Sequence, residues 1–113
     1  MNEKHEVTPA TLANGVYVRG IVVSNRAKAF NRKDGSGLSV VIEHEIALQP
    51  GVAMLQRFLD PKKDPGVKVE GDNVTEYPKL KELQTVTIRA TRFRSDEHTG
   101  QLVIKAGEVI ETT

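Results

Sequence analysis

Residues 16–48 read VYVRGIVVSNRAKAFNRKDGSGLSVVIEHEIAL. Two strand-like runs, Val16–Val23 and Leu38–Leu48, flank the basic segment Ser24–Gly37. In the second run, Leu38, Val40, Ile42, Ile46 and Leu48 share one face with His44. Ser39, Glu43, Glu45 and Gln49 take the other. Strict period two over this length dictates a strand with one buried face. Val16–Val23 is β-branched and reads as a strand whose alternation slips at Gly20. Val16 and Val18 share a face that Ile21 and Val23 then take over. One extra residue at a glycine marks a bulge or bend. Small barrels need such a bend in the first strand, which pairs on both sides.

Working outward, Pro50-Gly51 is a turn signal. Val52–Leu59, VAMLQRFL, is compatible with a short helix, but its brevity after a turn favours a third strand. Residues 60–82 hold Pro61, Pro65, Pro78, Gly66 and Gly71. They read as a long connection with one short extended piece at Val67–Val69. Thr85–Phe93 is a fourth strand, with Val86, Ile88 and Ala90 inward and Thr85, Thr87, Arg89, Thr91 and Phe93 outward. Arg94–Gly100 is a hairpin loop. Gln101–Ala106 is a fifth strand with Leu102 and Ile104 inward, and Gly107 breaks its alternation. Residues 1–14 read as a loose polar N-terminal arm ahead of one domain, 15–113. Five strands and a glycine kink predict an all-β fold, a five-stranded OB-like β-barrel with a long basic β-hairpin wing. An SH3-like barrel or a small sandwich also accommodates five strands.

The chain contains no cysteine, which excludes disulfides and thiolate chemistry. It has no apolar run long enough to span a bilayer and no apolar core of a secretory signal near the N-terminus, so no membrane association and a cytoplasmic location are expected. Net charge is only +1, so the distribution of charge carries the argument. Cations cluster at residues 26–33 and at Arg89, Arg92 and Arg94. Acids collect at Glu43 and Glu45, at residues 70–76, and at Asp96 and Glu97.

No catalytic constellation is present. Gly35-Ser36-Gly37 lacks the lysine and helix of a phosphate-binding loop. His5, His44 and His98 are scattered; His44 on an apolar face reads as a satisfied core residue, and His98 beside Asp96 and Glu97 reads as a loop side chain rather than a metal ligand. Glu43 and Glu45 read as the solvated face of a strand rather than an acid–base pair. Ser36 and Ser39 have no nominated base. The expectation is a protein that is not an enzyme, with no cofactor, no metal and no small-molecule substrate.

The binding reading starts from Arg26, Lys28, Arg32 and Lys33 around Phe30, with no acid before Asp34. The segment reads as a long mobile hairpin tip. Cations there meet phosphates while the ring stacks on a base; the plain alternative is a solvated hairpin. Arg89 and Phe93 on strand four, and Tyr17 and Arg19 on strand one, border a groove if the sheet curls. Phe93 is equally placed to cap a barrel end. A competing class is a small β-barrel adaptor that binds a protein partner by strand addition.

The order of parts resembles the single-stranded-DNA-binding, helix-destabilising proteins of filamentous phages, the gene V type. The likeness rests on VYVRGIVVSNRAKAFNRKDGSGLSVVIEHEIAL, VAMLQRFLD and YPKLKELQTVTIRATRFRSDEHTGQLVIKAGEVI, about two thirds of the chain. Leu38 stands where that family commonly has an aromatic, and the 60–82 connection is longer. The resemblance implies an OB-like homodimer that coats single-stranded DNA cooperatively and without sequence preference during DNA replication, in the host cytoplasm if phage-encoded. It implies a wing at Ser24–Leu38 with Arg26, Lys28, Arg32 and Lys33 on phosphates and Phe30 as a stacker. Arg19, Arg89 and Phe93 would lie at or near the groove, and Arg94–Gly100 would serve in dimer contact.

Overall fold

A computed structural model describes residues 14–49 and 51–113. The predicted arm at 1–14, His5 and Pro50 lie outside the described residues, except for Asn14, an exposed bend. The described chain is all-β: β1 (Val16–Asn31), β2 (Leu38–Ala47), β3 (Val52–Leu59), β4 (Lys68–Glu70), β5 (Asn73–Glu76), β6 (Thr85–Ser95) and β7 (Leu102–Thr112). The segment VAMLQRFL is a strand, as its brevity implied. Five strands close into a ring in the order β1-β2-β3-β7-β6, and β4-β5 forms a separate hairpin. All neighbours in the ring run antiparallel except β3 and β7, which are parallel over Ala53–Leu55 and Leu102–Ile104.

The ring core is built from alternate residues. Val18 and Val22 of β1, Ile46 of β2, Leu55 of β3, Val86 and Ile88 of β6 and Ile104 of β7 form one buried cluster. Removing this apolar area from water is the main stabilising term, worth about 1.5–3 kcal/mol for each large side chain. The alternation of β2 holds as read: Val40, Ile42, His44 and Ile46 are all buried. That of β1 requires a correction. Val18, Gly20 and Val22 point inward in unbroken period two, and Ile21 and Val23 are exposed. The slip falls between Val22 and Ser24, where the register to β2 shifts.

Gly20 has a different task from a bulge. It lies where β1 passes from β6, its partner over Val16–Ile21, to β2, its partner from Ile21 onward. A Cβ there would sit 2.3 Å from the Ala47 carbonyl oxygen and 2.7 Å from Ile46 Cγ2. Only a residue without a side chain permits that approach.

Three other expectations change. Ser24–Asn31 is a regular strand paired with β2 up to Asn31↔Leu38, so the mobile tip shrinks to the turn 32–37. The 60–82 connection is packed: Val67 is buried with Val40 and Ile42, and Ala27, Ala29, Leu59, Val69, Val74 and Tyr77 pack around them. The last strand runs to Thr112, because β7 absorbs Gly107 in an irregular register opposite Ala90. The β6–β7 connection is correspondingly shorter than Arg94–Gly100, since β6 extends to Ser95.

Candidate nucleic-acid interface

Antiparallel register partners project from the same side of a sheet. On β2 the outward residues are Ser39, Val41, Glu43 and Glu45, between the buried ones. Across β1 they pair with Phe30, Lys28, Arg26 and Ser24. Across β3, Val41 pairs with Phe58 and Glu43 with Gln56. The outward surface of β1, β2 and β3 therefore carries Arg26, Lys28, Phe30, Val41, Gln56 and Phe58 together. Phe30 and Phe58 meet edge to face with ring centroids 6.5 Å apart. They are 37% and 53% exposed, so both rings of the pair are open to solvent. Phe58 is the residue that sequence reading missed as part of the site. Its signal was its place on the polar-facing register of a strand otherwise rich in buried residues.

The cations of this region divide by their neighbours. Arg26 Nε donates to Glu43 Oε1 at 2.6 Å. Burial works against ionising Glu43, but hydrogen bonds from Gln56 and Arg26 and the charges of Arg26 and Lys105 outweigh it and hold the carboxyl below its ordinary value. Arg32 pairs with Asp60 at 3.0 Å and reaches Ser36 Oγ at 3.3 Å. Asp60 is held low first by the Lys62 backbone N–H and then by Arg32. Asp34, in the turn, is lowered by the Ser36 hydroxyl and backbone N–H. Among the described residues, Lys28 and Lys33 have no ion-pair partner. Lys28 faces Val41 across the ladder rather than an acid.

Arg19 and Arg89 stand on a different stretch, where β1 pairs with β6. Arg19 donates to Thr87 Oγ1 at 2.8 Å and forms an ion pair with Glu111. That pairing covers Thr87, which is outward as read but only 4% exposed. Arg89 lies 3.8 Å from Glu108. Phe93 is the register partner of the wholly buried Ile104, past two irregularities in β6. Phe93 itself is 44% exposed and belongs to neither buried cluster. The structure brings Arg26, Lys28 and Phe30 onto one surface with Phe58, puts Arg32 and Lys33 in the adjoining turn, and leaves Arg19, Arg89 and Phe93 elsewhere.

Behind the site, His44 is fully buried on the inner face of β2. Its Nδ1 donates to Asn25 Oδ1 at 2.6 Å, the same oxygen that accepts the Leu80 N–H at 3.0 Å. Asn25 Nδ2 returns a bond to the Leu80 carbonyl at 2.8 Å. This network ties the end of the long connection to the wing base. His44 Nε2 is buried without a hydrogen-bond partner, so the expected satisfied core histidine is satisfied at one nitrogen only. Burial, and then the charge of Arg57, push its pKa down to about 4.

Among the described residues, no group of three or more His, Cys, Asp or Glu is arranged to hold a metal ion. None of their helices is long and apolar enough to cross a membrane. No family model, curated protein or solved structure matches the chain.

Proposed function

We propose that this protein binds single-stranded nucleic acid, DNA in the first instance, on the outward face of β1, β2 and β3. The observation that carries this is the exposed Phe30–Phe58 pair with the unpaired Lys28 beside it. Every base has a π-face, so two solvent-facing rings offer stacking without sequence choice. Lys28 and Lys33 supply phosphate contacts that displace no protein counter-ion. The ring order β1-β2-β3-β7-β6 with one parallel closure supports an OB-like reading, in which this sheet face is the customary oligonucleotide surface. On that reading the wing is Ser24–Leu38, the protein is a non-enzymatic strand-coating dimer acting in replication, and its location is cytoplasmic.

The test is fluorescence anisotropy with a labelled oligo(dT) at low and moderate salt, against duplex of equal length. Binding that weakens steeply with salt and is much poorer for duplex is the expected result. No binding at low salt rejects the proposal. A second reading, an adaptor for a protein strand, draws on one observation: β7 pairs with β3 only over Leu102–Ile104, which among the described residues leaves the other edge of Lys105–Ile110 without a ladder partner. An adaptor would show no salt-dependent oligonucleotide binding.

A further inference from the structure

On the inner side of the wing tip lies an open cleft of about 740 Å³. Sites for small organic groups span about 300–1,000 Å³. Gly37 and Leu38 of the wing, Pro61 and Lys62 of the following turn, and Val67, Lys68, Val69 and Gly71 of the β4–β5 hairpin line it. The apolar lining rests on the buried Val67, which anchors the hairpin to Val40 and Ile42. The Arg32–Asp60 pair ties the wing turn to the 60–64 turn, and Asp60 also accepts the Lys62 N–H at 2.9 Å. The walls are therefore joined before any ligand arrives.

Both charged residues lining the cleft are cations, and no acid lines it. Lys62 has no ion-pair partner among the described residues. Its Nζ hangs over the bare backbone of Gly37, 4.0 Å from where a Cβ would stand, at a φ of +133° that itself favours glycine. Lys68 has only Glu76, at 3.4 Å with both side chains more than half exposed, a pair of little worth in water. Apolar walls with two available ammonium groups match a flat, apolar-faced, anionic group. The unpaired Lys33 stands in the turn that leads from Phe30 to Gly37, so a cationic path joins the two faces of the wing.

We propose that this cleft takes one nucleotide of the bound single strand, its base against Leu38 and Val69 and its phosphates on Lys62 and Lys68. The strand would then round the wing tip instead of ending on the outer face. This rests on the strand-binding reading above. The test compares labelled oligo(dT) of about 4 and about 16 nucleotides, the range of site sizes for one such domain. The proteins are wild type, Lys62→Ala/Lys68→Ala and Phe58→Ala. The double lysine variant is expected to bind the short oligonucleotide as wild type does and the long one about tenfold more weakly. Its log–log salt slope should be shallower by about 1.4, two single-strand phosphate contacts. In the amide NMR spectrum of wild type, Gly37 and Gly71 should shift with the long oligonucleotide and not with the short one. Phe58→Ala should weaken both lengths. Loss by Phe58→Ala with unchanged binding by the lysine variant overturns the cleft and keeps the outer face. Equal loss for both lengths in the lysine variant also overturns the cleft. Wild type that binds neither length overturns the strand-binding reading and the cleft with it.

Discussion

The two halves of β1 carry similar chemistry and end in different states. Tyr17 and Arg19 in the first half, and Arg26, Lys28 and Phe30 in the second, are outward residues of one strand. In the first half the neighbour is β6, flanked by β7, and Arg19 is held by Glu111 and Thr87. In the second half the neighbour is β2, and Lys28 meets Val41. A cation's availability for phosphate is thus set by the residue across from it, since on the same strand Arg26 meets Glu43. The halves also differ in support. The first sits on the main core of the ring, whereas the second rests on the small cluster of Val40, Ile42 and Val67.

The largest effect should come where the halves join. Gly20→Val would drive side-chain atoms into the Ala47 carbonyl, and we expect a loss of at least about 3 kcal/mol in urea unfolding. A cost below about 1 kcal/mol would mean that β1 can change partners without this close approach. Next is pH. His44 has a folded pKa of about 4 against an ordinary 6.5. Between these values the unfolded chain binds the proton and the native one does not, so stability falls as pH drops from 6.5 toward 4. The loss should approach about 3 kcal/mol. Unfolding of His44→Leu should lack that component in the same window; a parallel decline would assign it to other groups.

Smaller effects test the wing alone. Val67→Ala removes the anchor of the second cluster and should cost about 1–3 kcal/mol. Hydrogen exchange should quicken in Ala27–Asn31 while the amides of Val86 and Ile88 stay protected. Uniform loss of protection would show that the halves unfold as one unit. Phe58→Ala should weaken oligo(dT) binding by about 1–3 kcal/mol with little change in salt slope. Smallest of all, Arg26→Ala should alter binding less than Lys28→Ala does, because Arg26 is engaged by Glu43 and an exposed pair is worth about 0–1 kcal/mol. Anisotropy titrations of the two variants decide this, and the reverse order would mean that Arg26 leaves Glu43 for phosphate.

Much of the fold was legible because side-chain direction in a strand is local. The buried set Val40, Ile42, His44 and Ile46 follows from period two alone. So do the inward Val86 and Ile88. The basic segment misled for a related reason: Ser24–Asn31 alternates small or polar residues with cations, a weak apolar signal. Its partner surface, Val67 and Tyr77, lies about forty or more residues away across a proline-containing stretch. Gly20 was recognised as the place where the first strand comes to pair on both sides, whereas the close approach to Ala47 that demands a glycine there leaves no trace in the local pattern.

The five ring strands, the inner faces of β2 and β6 and the list of cations and rings were therefore written in the chain, each being a property of a residue and its immediate neighbours. The grouping of those residues was not. Phe30 meets Phe58, Arg19 meets Glu111 and Arg32 meets Asp60 only when the ring closes and the long connection folds back. These contacts join residues distant in sequence, and register and packing select them. The free Lys28 beside two open rings is a product of that selection.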